Sequence, residues 1–341
     1  MKKVYSSILI AIVCLVASLI TVAGQFNYIY TYYGRDYIMT RDFRNHRSIV
    51  LGNADAPYRY RVLSNWALQV VFDFTNPATP HYWTDEYRSL YEKTALSFRV
   101  AQNFLIFLLA IKYFETLGFS YSTRFVGVAL LSLSMGFAFY QSNLSFYTYT
   151  EIALLLLSGI IINLKKDWWI LFATVISALN REGAIFIPVM LFAARLSEFE
   201  WSAILKAKIS AYKWLVPPIL ATLLFLVFSV GIRYFLGQAS AYSESRYGNV
   251  YPGIELFYLN IMNRNTWIGL AQMYGVLFVT LILVKYWTNI LKMYLLFLAI
   301  PWFLVVFIFG SADETRLFLV PLVIVFIPAA LHLTESYRTL K

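Results

Sequence analysis

Charge is scarce in this chain: of 341 residues, 13% are Asp, Glu, Lys or Arg, while 60% are hydrophobic. An ordinary soluble domain carries about 25% charged residues, so a fully water-facing surface is excluded. Cysteine occurs once, as Cys14, which rules out an intrachain disulfide and leaves the redox compartment unread. There is no glycine-rich phosphate loop, no Ser, His and Asp nucleophile signature, and no internal repeat or low-complexity linker. His46 and His81 stand in the first long polar stretch without metal-ligand spacing, the arrangement of solvated loop histidines. These absences argue against nucleotide-driven chemistry and against a multidomain architecture; no cofactor is predicted, and a divalent metal is left open. The net charge of +10 would suggest nucleic acid in a soluble protein. Here basic residues at membrane edges account for it, and no nucleic-acid partner is expected.

What is abundant is apolar sequence in long runs. They fall at about 6–24, 95–113, 125–140, 151–164, 168–180, 183–195, 214–236, 267–284, 293–310 and 317–334, where a spanning helix needs roughly 20 mostly apolar residues. Aromatics make up 18%, with 26 Tyr and 9 Trp, as interfacial belts require. The pattern predicts an all-α integral membrane protein, one polytopic domain over 1–341, with about ten hydrophobic helices. Lys2 and Lys3 followed by Ser6 to Ala23 have the charge order of a signal peptide, but the run is long for one and is read as an uncleaved first helix.

Basic residues in short loops orient the chain. Every lysine except Lys93 falls on one side, together with Arg124, Arg195 and Arg338, which puts both termini in the cytoplasm of a multi-pass protein of the bacterial inner membrane. Residues 25–94 then form a long extracytoplasmic loop. Within it Arg61, Asn65, Gln69 and Asp73 recur every fourth residue beside Val62, Leu63, Trp66, Val70 and Phe74, predicting an amphipathic helix over 61–74 at the outer leaflet or the bundle rim. Residues 168–195 are flanked by basic clusters at both ends, so an even number of crossings fits. Gly183 and Pro188 supply a break at Asn180-Arg181-Glu182. Each arm of that short hairpin has roughly 13 residues, about 20 Å of helix, too little for a roughly 30 Å hydrocarbon core.

Arginines sort opposite to lysines. Arg35, Arg41, Arg44, Arg47, Arg59, Arg61, Arg88, Arg99, Arg181, Arg233, Arg246, Arg264 and Arg316 are assigned to the outer side. Arginine is the preferred side chain for bidentate capture of phosphate or carboxylate, although any one of these could pair with an outer acid or a lipid headgroup. Three constellations combine charge with membrane depth, where ionisable residues are functional candidates by default. The first is the stretch Tyr32 to Tyr37 with Arg41-Asp42-Phe43-Arg44 and Asp55 to Arg61; the second is Asn180-Arg181-Glu182-Gly183-Ala184; the third is Asp313-Glu314-Thr315-Arg316. Asn143-Leu144-Ser145 is a glycosylation sequon, meaningful only in a eukaryotic secretory setting.

This layout of one helix, a long outer loop rich in acids and aromatics, an amphipathic helix and a bundle with charged helix ends resembles the GT-C class of glycosyltransferases. The resemblance implies transfer of a sugar from a polyprenyl-phosphate carrier to a glycan, lipid or protein acceptor on the extracytoplasmic face. It implies a loop carboxylate as base, matched by position first by Asp36, then Asp42, then Asp55. Arg59, Arg61, Arg181 and Arg316 would stabilise the leaving phosphate, and Glu182, Asp313 and Glu314 would orient them or bind sugar hydroxyls. Tyr58 and Tyr60 would stack on a sugar. The alternatives are a transporter or flippase for an anionic or lipid-linked substrate, an O-antigen-polymerase-like protein and a non-enzymatic membrane scaffold.

Overall fold

A computed structural model describes residues 2–54, 58–75, 85–138, 145–198, 213–237 and 252–339. Asp55, His81, Asn143, Lys206, Lys208, Arg246 and Lys341, and the side chains of Arg35 and Arg338, lie outside the described residues. Among the described residues the chain is helical throughout, without a strand. In lipid every backbone N–H and C=O must be met within the segment, which only helices and closed barrels achieve.

The elements are α1 (Lys2–Tyr33), α2 (Phe43–Val50), α3 (Val62–Thr75), α4 (Asp85–Thr116), α5 (Tyr121–Phe137), α6 (Phe146–Asn163), α7 (Trp169–Ala178), α8 (Phe186–Leu196), α9 (Val216–Phe235), α10 (Ile254–Met262), α11 (Arg264–Phe278), α12 (Asn289–Tyr294), α13 (Ile300–Phe309) and α14 (Ile327–Thr339). Seven stretches are long and apolar enough to cross a membrane: Ser7–Tyr33, Arg88–Thr116, Phe146–Asn163, Lys213–Phe235, Arg264–Tyr286, Asn289–Phe309 and Thr315–Tyr337. With α5, α7 and α8, this accounts for the ten apolar runs. The last two spans each contain one wide π-helical turn, Leu295–Ala299 and Leu322–Phe326. Pro301 and Pro328, which lack an N–H for the ladder, follow two residues after each.

Helices α7 and α8 are the predicted broken hairpin. Their 10 and 11 residues reach about 15 Å each at 1.5 Å per residue, so the pair enters the bundle and returns. Small residues let neighbouring helices approach closely: a Cβ on Gly127 would lie 2.5 Å from the Phe114 ring, and one on Gly159 2.7 Å from the Tyr113 ring. The turn between α4 and α5 closes through Gly118 at φ 88°, with Phe119 N–H donating to Phe114 O, a helix stop that favours glycine.

The two ends of the bundle differ in chemistry. One end carries Arg195, held by Asp167, Glu198 and the Ile162 carbonyl, with Lys112 and Arg124 on Glu115 and Lys165 on Glu198. The other gathers the arginine-rich segments, and one expectation about it changes. The described residues of the 25–94 stretch are mostly helix, not loop, since α1 runs on to Tyr33 and α4 begins at Asp85. Arg99 lies within the Arg88–Thr116 span and is fully buried there.

Candidate functional site

The site is assembled where α3, α6 and the hairpin break meet. The first free N–H groups of α3, on Val62 and Leu63, both donate to the Leu179 carbonyl at 3.1 Å. One helix start and one helix end thereby satisfy each other. Asn180 Nδ2 donates to the Tyr147 carbonyl at 2.7 Å, fixing the break against the first turn of α6. Arg181 itself is extended (φ −168°, ψ 157°); its Nη1 donates to Glu151 Oε2 at 2.7 Å and reaches Thr148 Oγ1 at 3.4 Å. A Cβ on the adjacent Gly183 would fall 1.9 Å from Glu151 Oε1, so a larger residue there displaces that carboxylate.

Two further ion pairs flank this one. Arg61 Nη2 donates to Glu182 Oε2 at 3.2 Å, and Arg316 Nη2 to Glu314 Oε2 at 2.6 Å. Arg316 also donates to the Ser145 hydroxyl. Ser145 has φ 31°, a left-handed backbone that costs a non-glycine residue free energy. Tyr147 stands among the cations: its ring centroid lies 4.8 Å from the Arg61 guanidinium and 5.6 Å from that of Arg181. Tyr58 meets Tyr147 edge-on with ring centroids 6.2 Å apart.

A cavity of ≈ 40 Å³ opens among Asp42, His46, Tyr58, Tyr91, Ser145 and Tyr147. A smaller one of ≈ 20 Å³ is lined by Tyr60, Arg181, Glu182 and Arg233. His46 is buried, not solvated, and bridges α2 to α3 with Nδ1 3.3 Å from Asn65 Oδ1 and Nε2 3.0 Å from Gln69 Oε1. Burial pushes its imidazole below the ordinary value against the opposing pull of Gln69, Asn65 and Asp73, so the neutral form is favoured. Asn65 and Gln69 of the α3 polar stripe are thus turned toward α2, while Trp66, Val70 and Phe74 are exposed. For Glu182, burial opposes ionisation, but the Arg61 and Arg181 charges and its hydrogen bonds outweigh this and hold its carboxyl below the usual range.

The predicted residues divide. Asp42, Tyr58, Arg61, Arg181, Glu182, Glu314 and Arg316 converge on one site. Asp36 is exposed, with its backbone carbonyl accepting from the Thr40 hydroxyl, and it does not line either cavity. Arg59 Nη1 donates to Leu236 O at 3.4 Å, at the carbonyl end of α9, where the helix dipole favours a cation. Tyr60 donates to Gly237 O at 3.3 Å and lies under Arg233. Asp313 is buried in the turn before the last span, its carbonyl accepting the Thr315 N–H at 3.0 Å.

Glu151, Tyr147, Ser145 and Arg99 were not among the predicted site residues. A single acid at the head of the apolar run 151–164, and a single arginine within 95–113, were the signals for the two charged ones. Among the described residues, no group of three or more His, Cys, Asp and Glu side chains is placed to hold a metal ion. No protein-family model matches the chain, and no curated protein or solved structure matches it significantly.

Proposed function

We propose that the chain is a membrane glycosyltransferase that moves a sugar from a polyprenyl-phosphate carrier to an acceptor at the outer face of a bacterial plasma membrane, with both termini in the cytoplasm. The observation that carries this reading is the cavity in which the buried Asp42 faces Tyr58, Ser145 and Tyr147, ringed by Arg61, Arg181 and Arg316. Asp42 takes the proton of the acceptor hydroxyl as the acceptor oxygen bonds to the anomeric carbon. The bond from that carbon to the phosphate oxygen breaks, and the polyprenyl phosphate leaves with one more negative charge. Preorganised guanidinium groups stabilise that charge as it develops. The tyrosine faces suit a sugar ring, and Glu182 and Glu314 keep Arg61 and Arg316 oriented.

The test is incubation of the purified protein with polyprenyl-phosphate sugars and candidate acceptors, with release of polyprenyl phosphate as the readout. The reading requires turnover that Asp42→Asn abolishes. The re-entrant hairpin with a charged break favours a second reading, a transporter or flippase, because broken helices with polar breaks build such sites. Flux of a lipid-linked or anionic substrate into proteoliposomes, with no sugar transfer, would select it.

A further inference from the structure

Arg99 stands on α4 one helical turn before Asn103, and both side chains are fully buried. All three guanidinium nitrogens of Arg99, and both amide atoms of Asn103, lack a hydrogen-bond partner among the described residues. Gln25 Oε1 and Gln102 Oε1 are buried in the same condition. The Arg99 charge lies 3.7 Å from the Tyr149 ring centroid and 4.9 Å from that of Phe146. Those faces attract a cation but offer it no lone pair. The Asp42 charge acts on Arg99 through space, without a hydrogen bond to it. Arg61, Arg181, Arg316 and Arg59, by contrast, each donate to a carboxylate or a carbonyl. A buried fork of N–H donors with no acceptor suits a planar or tetrahedral oxyanion.

A second feature starts one residue away. Helices α1 and α5 part to leave an apolar groove of ≈ 670 Å³ between Ile12 and Gly24 on one wall and Phe125 and Phe137 on the other. From Ile12 to Gly24 it follows α1 for about 18 Å. On its floor the Thr21 and Ser132 hydroxyls bond to each other at 2.7 Å, and Thr21 also to Ala17 O, so they ask nothing of an apolar occupant. The Gly24 end adjoins Gln25, whose amide donates to Tyr149 Oη at 3.3 Å, and the Tyr149 ring is the one beneath Arg99. Gln25 thus links the Gly24 end of the groove, one residue away along the chain, to the ring beneath Arg99 through the Tyr149 hydroxyl.

We infer that α1, α4, α5 and α6 bind an amphiphile, a phosphate group held by Arg99 and Asn103 with its hydrocarbon chain along the α1–α5 groove. This rests on the transferase reading only for its ligand class, since there the leaving phosphate meets Arg61, Arg181 and Arg316; binding at Arg99 does not require transfer. The experiment measures affinity of the full-length protein, in a phosphate-free maltoside detergent, for dodecyl phosphate and for inorganic phosphate. Dodecyl phosphate binds more tightly than inorganic phosphate, and Arg99→Met weakens both at least ten-fold. Should that variant fail to fold, Arg99→Gln keeps donors, removes the charge and shows the same loss. Gly136→Leu, whose Cβ meets nothing within 4 Å and which fills the groove, weakens dodecyl phosphate at least ten-fold and leaves inorganic phosphate unchanged.

Equal affinities in wild type and Arg99 variants overturn the anion site. Phosphate binding at Arg99 with no gain from the dodecyl chain makes it a free-phosphate site and overturns the groove's role. A change of oligomeric state in Gly136→Leu makes the groove an interface between copies of the chain, which also overturns it. Lipid phosphate binding that depends on Arg99 and Gly136 without any sugar transfer supports this site while removing the transferase reading.

Discussion

Arg181 and Glu151 meet at 2.7 Å, joining the extended break between α7 and α8 to the second turn of α6. Both side chains are largely withdrawn from solvent, so each charge depends on the other. Loss of one partner of a buried pair costs about 3–5 kcal/mol, whereas replacing both with apolar residues is often neutral. Glu151→Leu is therefore expected to lower the melting temperature sharply, and Glu151→Leu with Arg181→Met to recover most of it. Thermal unfolding in detergent reads both; a double variant no more stable than the single one would refute the pairing.

Gly183 packs its Cα hydrogens against the Glu151 carboxylate and Trp302. Gly183→Ala forces that carboxylate away from Arg181 and should cost about 1–3 kcal/mol, as overpacking does. Gly231→Ala in α9, with nothing within 4 Å of its Cβ, is the control, expected to be neutral or to gain about 0.5–1 kcal/mol through helix propensity.

The two leading carboxylates make opposite predictions. Asp42→Asn should lower transfer by about 10²–10⁴-fold, the usual contribution of a positioned general base. Asp36→Asn, on an exposed turn outside the cavity, should leave transfer within about two-fold of wild type, well inside the scatter of that contribution. Single-turnover transfer measured on both variants decides this, and the reverse ranking would move the base to Asp36.

Stability should also depend on pH through His46. Its folded-state value lies below the unfolded one, so the unfolded chain binds the proton first and stability rises with pH across that window. The contribution is complete above about pH 6.5, the unfolded value, and is lost as pH falls through the lower folded value. Glu182 behaves as a carboxylate held low, its contribution present above about pH 4.3 and lost on further acidification. Melting temperatures across this range should therefore show a first decline absent from His46→Gln and a second absent from Glu182→Gln.

The membrane architecture was legible because lipid leaves few choices: an apolar run of sufficient length becomes a helix, and Gly183 with Pro188 breaks one. The charged break at Arg181 and Glu182 and the turn at Glu314 and Arg316 were legible for the same reason, since charge at depth needs a purpose. Their partners were less visible. Tyr147 and Ser145 carry no charge, and Tyr147 lies among 26 tyrosines, so only packing selects it. The polar stripe of α3 was legible as a stripe but its partner was not, because a fourfold polar spacing does not say whether water or His46 lies opposite. Asp36 and Asp42 are six positions apart on one short stretch, and only the burial of Asp42 against the exposure of Asp36 separates them.

The shared carbonyl of Leu179 carries a mechanical consequence. Helix α7 ends where α3 begins, and two N–H groups of α3 close on that one oxygen, so their dipoles run head to tail like coupled magnets. Displacing the Leu179 carbonyl strands both α3 N–H groups at once, so the hairpin end and α3 are expected to shift together, carrying the Asn65 and Gln69 contacts to His46 with them.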